Sequence, residues 1–191
     1  DSAIDFVRKM IKSGHHAMIE FAVPPSVKVI TDRGVTHEIV RHRLFSFAQE
    51  STRYCNYEKN KFGNQITVVL PVWFYNVNDS NTFKYDTWEE SVINAEKCYM
   101  ELIASGQSPQ EARSVLPNSL KAEINMSCNV REWRHFFSLR CNKAAHPQMR
   151  ELALDILNGF NRDIPVIFED IFLKYSENIS ENTPENYNEN K

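Results

Sequence analysis

The segment Arg41–Tyr54 (RHRLFSFAQESTRY) concentrates side chains that bind anions. It begins with two arginines that flank His42, continues through hydroxyl, amide and carboxylate groups, and reaches Arg53 near its end. A guanidinium presents a planar fork of donors that matches a phosphate, a carboxylate or a pyrimidine edge. Hydroxyls, backbone N–H groups and an arginine can together hold a phosphate without glycines. The segment therefore predicts a site for small anionic ligands, and the alternative is a solvated basic helix end.

A second chemical signal is the segment Asn129–Arg140 (NVREWRHFFSLR). As a helix it presents two faces, one bearing Arg131, His135 and Leu139 and the other bearing Trp133, Phe136, Phe137 and Arg140. A guanidinium that extends an aromatic stripe is costly to bury without a partner. The head of Arg140 therefore either reaches water or meets an anionic ligand in a pocket. Arg113, in the segment ARSVLP, shows the same pattern of a guanidinium beside apolar residues.

Composition limits the classes of function. The chain has 191 residues, of which 42% are hydrophobic, and its formal net charge is −3. We expect no nucleic-acid partner, because nucleic-acid modules usually carry a basic excess. No apolar run approaches the roughly 18 residues of a membrane span, so we expect no membrane partner. The four cysteines form no CxxC pair, which favours a reduced, cytoplasmic protein with structural thiols.

Several common cofactor motifs are missing from the sequence. None of the five glycines begins a GxGxxG or is followed by lysine, so neither a Rossmann dinucleotide site nor a P-loop is indicated. The histidines lack a zinc-binding spacing, and we expect no metal site. His16 and His37 are interpreted as surface or locally satisfied histidines.

The elements that must position these residues follow from hydrophobic periodicity and capping signals. Helices are predicted over 3–13, from a cap at 31–32 to 44, over 87–105, from a capping box at 108–111, over 130–141, from 147, and over 164–175. Extended segments are predicted on either side of Pro24-Pro25, at 66–73 and at 120–126, while 45–65 is expected to be irregular. The pattern predicts one mixed α/β (α+β) domain over 1–175. The Asn- and Glu-rich tail 176–191 is expected to be disordered.

The chemical segments together resemble a known enzyme family. Arg41-His42-Arg43, seven residues and then Ser51-Thr52-Arg53 match the signature RHR-x7-S-x-R of flavin-dependent thymidylate synthases, the ThyX type. Gly14-His15 resembles the family's upstream Gly-His element, and 112–117 resembles its ARxxLP segment. Asn129–Arg140 resembles its N-x-R helix that ends in Leu-Arg. The resemblance spans roughly residues 13–155 and identifies the chain as a member of this family.

This resemblance implies a fold, an assembly and a reaction. The fold would be a single mixed domain with a central antiparallel-rich sheet flanked by helices, assembled as a homotetramer with active sites between subunits. The reaction would convert dUMP to dTMP, with methylenetetrahydrofolate as carbon donor and FAD, reduced by NADPH, as hydride carrier. Since the first residue is Asp1 and not Met, we expect the numbering to begin inside a longer polypeptide, and relatives have an N-terminal stretch before this position.

The resemblance also implies roles for individual residues. Arg140 would be the catalytic residue that holds the uracil in its reactive, ionised form. The phosphate of dUMP would contact Ser51, Arg53 and Arg113. The whole dUMP set is Glu38, Ile39, Val40, Arg41, Gln49, Glu50, Ser51, Thr52, Arg53, Arg113 and Arg140. Either Gln49 or Glu50 would make the polar contact of the family's acidic position.

A second set of residues would contact the flavin by the same resemblance. His15 and Ala17 would be offered to FAD by a neighbouring subunit. The others are Arg41, His42, Arg43, Gln49, Asn129, Val130, Arg131 and His135. Some relatives carry asparagine where this chain has His135; both side chains donate a hydrogen bond, but histidine could add charge near the flavin.

Elementary chemistry agrees with these roles. Uracil is a poor nucleophile unless negative charge develops on its ring, and a fixed guanidinium lowers the cost of that charge. In this route Ser51 is a ligand and not a nucleophile, since no partner base is identifiable beside it. Two alternatives stay open: a flavin or nucleotide sensor on the same scaffold, and a single-strand nucleic-acid binder that stacks bases on Phe45, Phe47, Tyr54 and Tyr57.

Overall fold

The computed structural model describes residues 2–24, 26–75, 78 and 82–181, and this part of the chain is a mixed helix-and-sheet fold, as predicted. Its helices are α1 Ser2–Lys12, α2 Arg33–Ile39, α3 Thr82–Ala104, α4 Pro109–Ala112, α5 Val130–Arg140, α6 Pro147–Asp163 and α7 Pro165–Glu181. Its strands are β1 Val27–Asp32, β2 Ser46–Gln49 and β3 Lys121–Ser127. None of the helices described here combines the length and apolar character that crossing a membrane requires.

β3 is the central strand of a small antiparallel sheet with the order β1-β3-β2. Its alternate side chains Ala122, Ile124 and Met126 are buried, as the predicted strand at 120–126 requires. β2 lies in the segment that we expected to be irregular. That expectation was wrong because β2 is short and none of its four residues is fully buried, so no run of apolar residues marks it.

Two predicted extended segments take other conformations. The segment 66–73 pairs only at an isolated antiparallel bridge between Val68 and Leu120 and then enters a 3₁₀ turn after Pro71. A proline has no N–H to donate to a ladder, which explains why pairing stops there. The segment before Pro24 forms a 3₁₀ turn at His16–Phe21, whose apolar side chains are mostly exposed and therefore do not mark a buried strand. Pro25 lies outside the described residues.

Helix α2 ends five residues before the predicted end at residue 44. Its first turn is capped as predicted, because the Asp32 carboxylate accepts the Val35 N–H at 2.7 Å. At its other end the Arg41 and His42 amides donate to the carbonyls of Glu38 and Ile39, three residues back. These tighter bonds end the α-helix and carry the chain through a compact turn toward β2.

The chain divides into two compact units. The first comprises the residues up to Val27, the segment Glu38–Phe47 and the residues from Met126 onward. In it α6 packs against α7, α5 packs against both, and α1 packs against α7. Its core is aromatic, with complete or nearly complete burial of Trp133, Phe136, Phe137 and Phe168. The predicted Asn129 cap begins α5 by accepting the Glu132 N–H at 2.9 Å.

The second unit comprises Lys28–His37 and Ala48–Asn125. Helix α3 packs against α4, and the predicted capping box is present because Glu111 accepts the Ser108 N–H at 2.8 Å. The Tyr99 hydroxyl lies in the core of this unit and donates to the Cys55 carbonyl at 3.2 Å. The single catalytic domain over 1–175 stays a prediction.

The predicted disordered tail is wrong for residues 176–181, because α7 continues to Glu181. A helix that is already formed by packing extends at little cost, since only its first turn is expensive to nucleate. Residues 182–191 lie outside the described residues.

Candidate functional site

Arg140, at the last turn of α5, is held by two side chains from the end of α2 and the turn after it. Its Nη1 lies 3.0 Å from Glu38 Oε2, and its Nε donates to His42 Nε2 at 2.9 Å. The Arg140 side chain is 22% exposed. The sequence predicted that this guanidinium would reach water or meet an anionic ligand. In the structure it contacts an internal carboxylate and an imidazole, which was not predicted.

His42 is neutral at ordinary pH. The residue is 7% exposed, and its ring packs against Phe136, with 4.9 Å between the centroids, and against Phe45 at 5.9 Å. Burial and, to a smaller extent, the charges of Arg140 and His135 together lower the pKa of His42 to about 4. A neutral imidazole whose Nε2 accepts a hydrogen bond carries its proton on Nδ1. His42 can therefore act as an acceptor for Arg140 throughout the neutral range.

The neighbours of His42 differ in exposure. Arg41 and Arg43 on either side are exposed, so the three residues diverge as a helix end predicts. Ile39 is completely buried, and Val40 is 38% exposed. A nucleotide contact from Ile39 would therefore involve its backbone.

A cavity of about 660 Å³ lies in the same unit, beside α5 and α7. This volume is in the range of small-molecule and cofactor sites. Three residues expected along the flavin, Asn129, Arg131 and His135, line it together. Its other charged or imidazole-bearing lining residues are His16, Glu20, Glu132, Arg134, Asp170 and Lys174.

The polar groups of this cavity are partly paired with one another. Arg131 forms an ion pair with Glu20, and Arg134 donates to both carboxylate oxygens of Asp170, at 2.8 and 2.7 Å. Burial raises the pKa of Glu132, although the nearby His135 opposes the shift. The cavity thus offers cationic donors and carboxylate acceptors, the mixture that a ligand with both phosphate and hydroxyl groups needs.

The remaining residues expected at the flavin have simpler surroundings. His15 and Ala17 are both exposed. His15 directly precedes the 3₁₀ turn His16–Phe21, and Ala17 lies within it. Val130 is buried, and its N–H donates to the Ala22 carbonyl at 2.9 Å. The side chain of Asn129 caps α5, so its Oδ1 is engaged within the protein.

The second unit brings together the residues expected at the phosphate. Arg113 Nη1 donates to the Thr52 hydroxyl at 3.3 Å. Arg53 Nη2 lies 3.4 Å from Gln110 Oε1, and its backbone N–H donates to the Ser51 hydroxyl, also at 3.4 Å. Both arginines are exposed and meet neutral partners, so their charge is not cancelled by these contacts.

Gln49 and Glu50, the alternatives for the acidic position, have different partners in this unit. Gln49 Nε2 donates to the Thr36 hydroxyl at 3.0 Å. Glu50 Oε1 accepts the Cys55 thiol at 3.3 Å, and its backbone N–H donates to the Glu123 carbonyl at 2.9 Å. Both side chains are half-buried, and the choice between them stays open.

The buried cysteines are not activated nucleophiles. Burial raises the pKa of Cys55 to about 11 and that of Cys141 to about 12, and it also raises the pKa of Cys128. A thiol with a raised pKa holds little thiolate at neutral pH. A reaction that begins by thiolate attack on a pyrimidine therefore finds no support at these three residues.

Two of the four aromatic residues that the nucleic-acid hypothesis requires for base stacking are buried. Phe45 is 7% exposed and Tyr57 is 6% exposed, and each packs within its own unit's core. Tyr54 is 76% exposed. Base stacking needs an accessible ring face, so Phe45 and Tyr57 cannot contribute to it.

Comparison with known proteins gives a consistent result. The family model described as thymidylate synthase complementing protein matches residues 1–166. A flavin-dependent thymidylate synthase of Corynebacterium aurimucosum is 31% identical over 183 residues, covering 88% of this chain and 70% of that protein. The chain belongs to this family. This confirms the resemblance found from the motifs.

Other members of the family show similar relationships. The flavin-dependent thymidylate synthase of Corynebacterium glutamicum is 32% identical over 180 residues, covering 86% of this chain and 68% of that protein. That of Geobacter sulfurreducens is 28% identical over 165 residues, with the same coverage of both chains.

Motif matching to the family missed several residues of these sites. Glu38 was predicted to contact dUMP, but its ion pair with Arg140 was not predicted. The spacing of four residues between Glu38 and His42 could have indicated that these two side chains lie on one side of the helix end. His16, interpreted as a surface or locally satisfied histidine, borders the cavity. Glu132 and Lys174 border it as well. Glu132 lies within the segment Asn129–Arg140 but was given no role, and Lys174 lies outside the segments that resemble the family. For Lys174 we find no local signal, because its position depends on the packing of α7.

Proposed function

We propose that this protein converts dUMP to dTMP, with methylenetetrahydrofolate as carbon donor and FAD, reduced by NADPH, as hydride carrier. The observation that carries the proposal is the half-buried guanidinium of Arg140, held at Nε and Nη1 in a chain that belongs to the flavin-dependent thymidylate synthase family. The assembly that we propose is a homotetramer, with His15 and Ala17 of a neighbouring subunit contacting the flavin.

Arg53, Arg113 and Ser51 would bind the phosphate of dUMP, and Thr52 would belong to the same dUMP-binding loop. Both guanidiniums contact neutral oxygen atoms in the second unit. A phosphate is a stronger acceptor than an amide or a hydroxyl, because its negative charge attracts the guanidinium in addition to accepting its protons. The exchange of those partners for a phosphate would therefore favour binding.

Arg140 would stabilise the negative charge that develops on the uracil ring. Its charge persists at any working pH, and its partners fix its orientation before the substrate arrives. A donor already aimed at the developing charge lowers the barrier without reorganisation. Glu38, Ile39, Val40 and Arg41 would lie along the base and sugar, with Gln49 or Glu50 supplying a further polar contact.

The cavity beside α5 and α7 would hold part of the flavin cofactor. Arg131, His135 and Lys174 offer donors for phosphate oxygens, while Glu132 is an acceptor for hydroxyl groups. Asn129 and Val130 would line the flavin through the start of α5, and Arg41, His42 and Arg43 through the turn after α2. When bound, FAD would supply the hydride that completes the new methyl group. The protein's part is to bind the reactants, orient them and exclude water.

Two measurements test the proposal. The purified protein should be yellow, and dUMP should perturb its flavin spectrum. Tritium release from labelled dUMP should require both NADPH and the folate. A protein that binds flavin and dUMP but releases no tritium would be the sensor on the same scaffold, and this result would contradict the proposed reaction.

A further inference from the structure

Among the described residues, His42 is the only histidine seen to form a hydrogen bond with Arg140. The position of its ring is fixed by its neighbours. Two aromatic rings, Phe45 and Phe136, meet it at interplanar angles of 72° and 65°. Its backbone N–H is tied to the Ile39 carbonyl at 3.1 Å. A ring fixed by packing and by its backbone is a rigid acceptor, and the Arg140 Nε–H lies 2.9 Å from it.

Glu38 is a less rigid partner of the same guanidinium. Its side chain is 33% exposed, and its other oxygen lies 3.9 Å from Nδ1 of His146, so a second group competes for it. Its Oε2 contacts Nη1 of Arg140 but leaves rotation of the guanidinium about that contact open. The second contact, at Nε, removes this freedom because two contacts on different nitrogens define the plane of the group.

We infer that His42 is a positioning residue for Arg140: its Nε2 accepts the Arg140 Nε–H and fixes the plane in which the guanidinium meets the uracil. This inference rests on the proposed function for its consequence in catalysis, but its geometric content does not depend on turnover. It also gives His42 a task different from the flavin contact expected from the family's motif.

Two substitutions separate the acceptor from the ring. His42→Gln keeps an acceptor on a side chain of similar reach, whereas His42→Phe keeps a planar ring and removes the acceptor. His37→Phe is the matched control, because His37 is an exposed histidine of α2 outside the proposed machinery. Flavin content and thermal unfolding are measured for each variant, so that loss of cofactor or fold is seen directly.

The first readout is the Arg140 Nε–H signal in nuclear magnetic resonance spectra of the full chain. In the wild type and in His42→Gln this proton should be protected from exchange with water, and in His42→Phe the protection should fall by about tenfold or more, as expected for loss of a charged hydrogen bond. Equal protection in His42→Phe and the wild type would overturn the inference, whether or not the protein turns over dUMP.

The second readout is kinetic. With flavin content retained, His42→Phe should lower kcat for dUMP by about 10- to 100-fold and raise KM much less, because the positioned charge acts mainly in the transition state. His42→Gln should recover most of this loss. A glutamine variant as slow as the phenylalanine variant would contradict the acceptor role.

A double-mutant cycle shows through which residue His42 acts. The affinity for dUMP is measured from the flavin spectrum in His42→Phe, Arg140→Ala and the double variant. If His42 acts through Arg140, the modest loss of dUMP affinity that His42→Phe causes in the wild type should disappear once Arg140 is absent. An undiminished effect in the Arg140→Ala background would assign His42 to a direct contact instead. A wild-type protein that neither responds to dUMP nor turns over would contradict the proposed function, while the exchange measurement would still decide the geometry.

Discussion

Arg113 donates to the hydroxyl of Thr52 across 3.3 Å, joining positions that lie 61 residues apart in the sequence. Thr52 is 5% exposed, so its hydroxyl is fixed, while Arg113 lies at the surface of the second unit. A neutral hydroxyl satisfies one donor of a guanidinium and leaves its charge in place. The pair therefore holds a cation in position for an anion without neutralising it.

Arg113→Ala should weaken dUMP binding by about 1.5–3 kcal/mol, the scale of a hydrogen bond to a charged group. Because the proposed contact is to phosphate, binding of deoxyuridine should not change. The flavin spectral titration measures both affinities. Equal losses for the nucleotide and the nucleoside would place Arg113 away from the phosphate.

Arg53→Ala should have an effect of the same size, about 1.5–3 kcal/mol, because its present partner is the neutral amide of Gln110. Arg162→Ala is the control, since Arg162 is exposed and pairs with its neighbour Asp163. An unchanged affinity for dUMP in Arg53→Ala would remove this residue from the proposed phosphate site.

Arg140→Ala should abolish tritium release, because Arg140 is the residue proposed to stabilise the charge on the uracil. The proposed assembly should persist, since the hydrogen-bond partners seen for Arg140, Glu38 and His42, lie in its own unit. Sedimentation or light scattering checks the assembly, and the flavin content checks the cofactor site. Activity near that of the wild type would refute the catalytic role of Arg140.

Local signals predicted the helices and strands that carry the site better than they predicted the contacts between side chains of different elements. The Asn129 cap and the aromatic spacing after it gave α5 nearly to the residue, because both signals act within a few positions. The pairing of Arg140 with Glu38 depends on how the end of α2 meets α5, which no local pattern encodes. The apolar segment 66–73 shows the opposite failure: its composition favours a strand, but its pairing is limited to an isolated bridge before Pro71.

Asp170→Asn should destabilise the protein by about 2–3 kcal/mol, because it leaves the guanidinium of Arg134 without its carboxylate. The Arg134 side chain is only 8% exposed. Burial acts to raise the pKa of Asp170, but the hydrogen bonds and charge of Arg134 outweigh it and hold that pKa below its usual value. Chemical denaturation measures the change. Asp163→Asn, which alters an exposed ion pair, should change the free energy of unfolding by less than about 1 kcal/mol.

The stability of the protein should fall between pH 6.5 and pH 4 through the titration of His42. Its pKa in the folded protein is lowered to about 4, from 6.5 in the unfolded chain, so in this range the unfolded chain binds the proton more tightly. The contribution of His42 is complete above pH 6.5 and is lost as the pH falls toward 4, at up to about 1.4 kcal/mol per pH unit.

His42→Gln isolates this contribution because glutamine keeps an acceptor and does not titrate. The free energy of unfolding of the wild type and the variant is measured by denaturation at several pH values. Carboxylates that titrate in the same range affect both proteins alike, so their difference reports His42. The free energy of unfolding of the wild type minus that of His42→Gln should fall by about 2–3 kcal/mol between pH 7 and pH 4. A difference that does not change with pH would mean that the pKa of His42 is the same in the folded protein as in the unfolded chain, which would contradict the effect of burial and of Arg140 on this group.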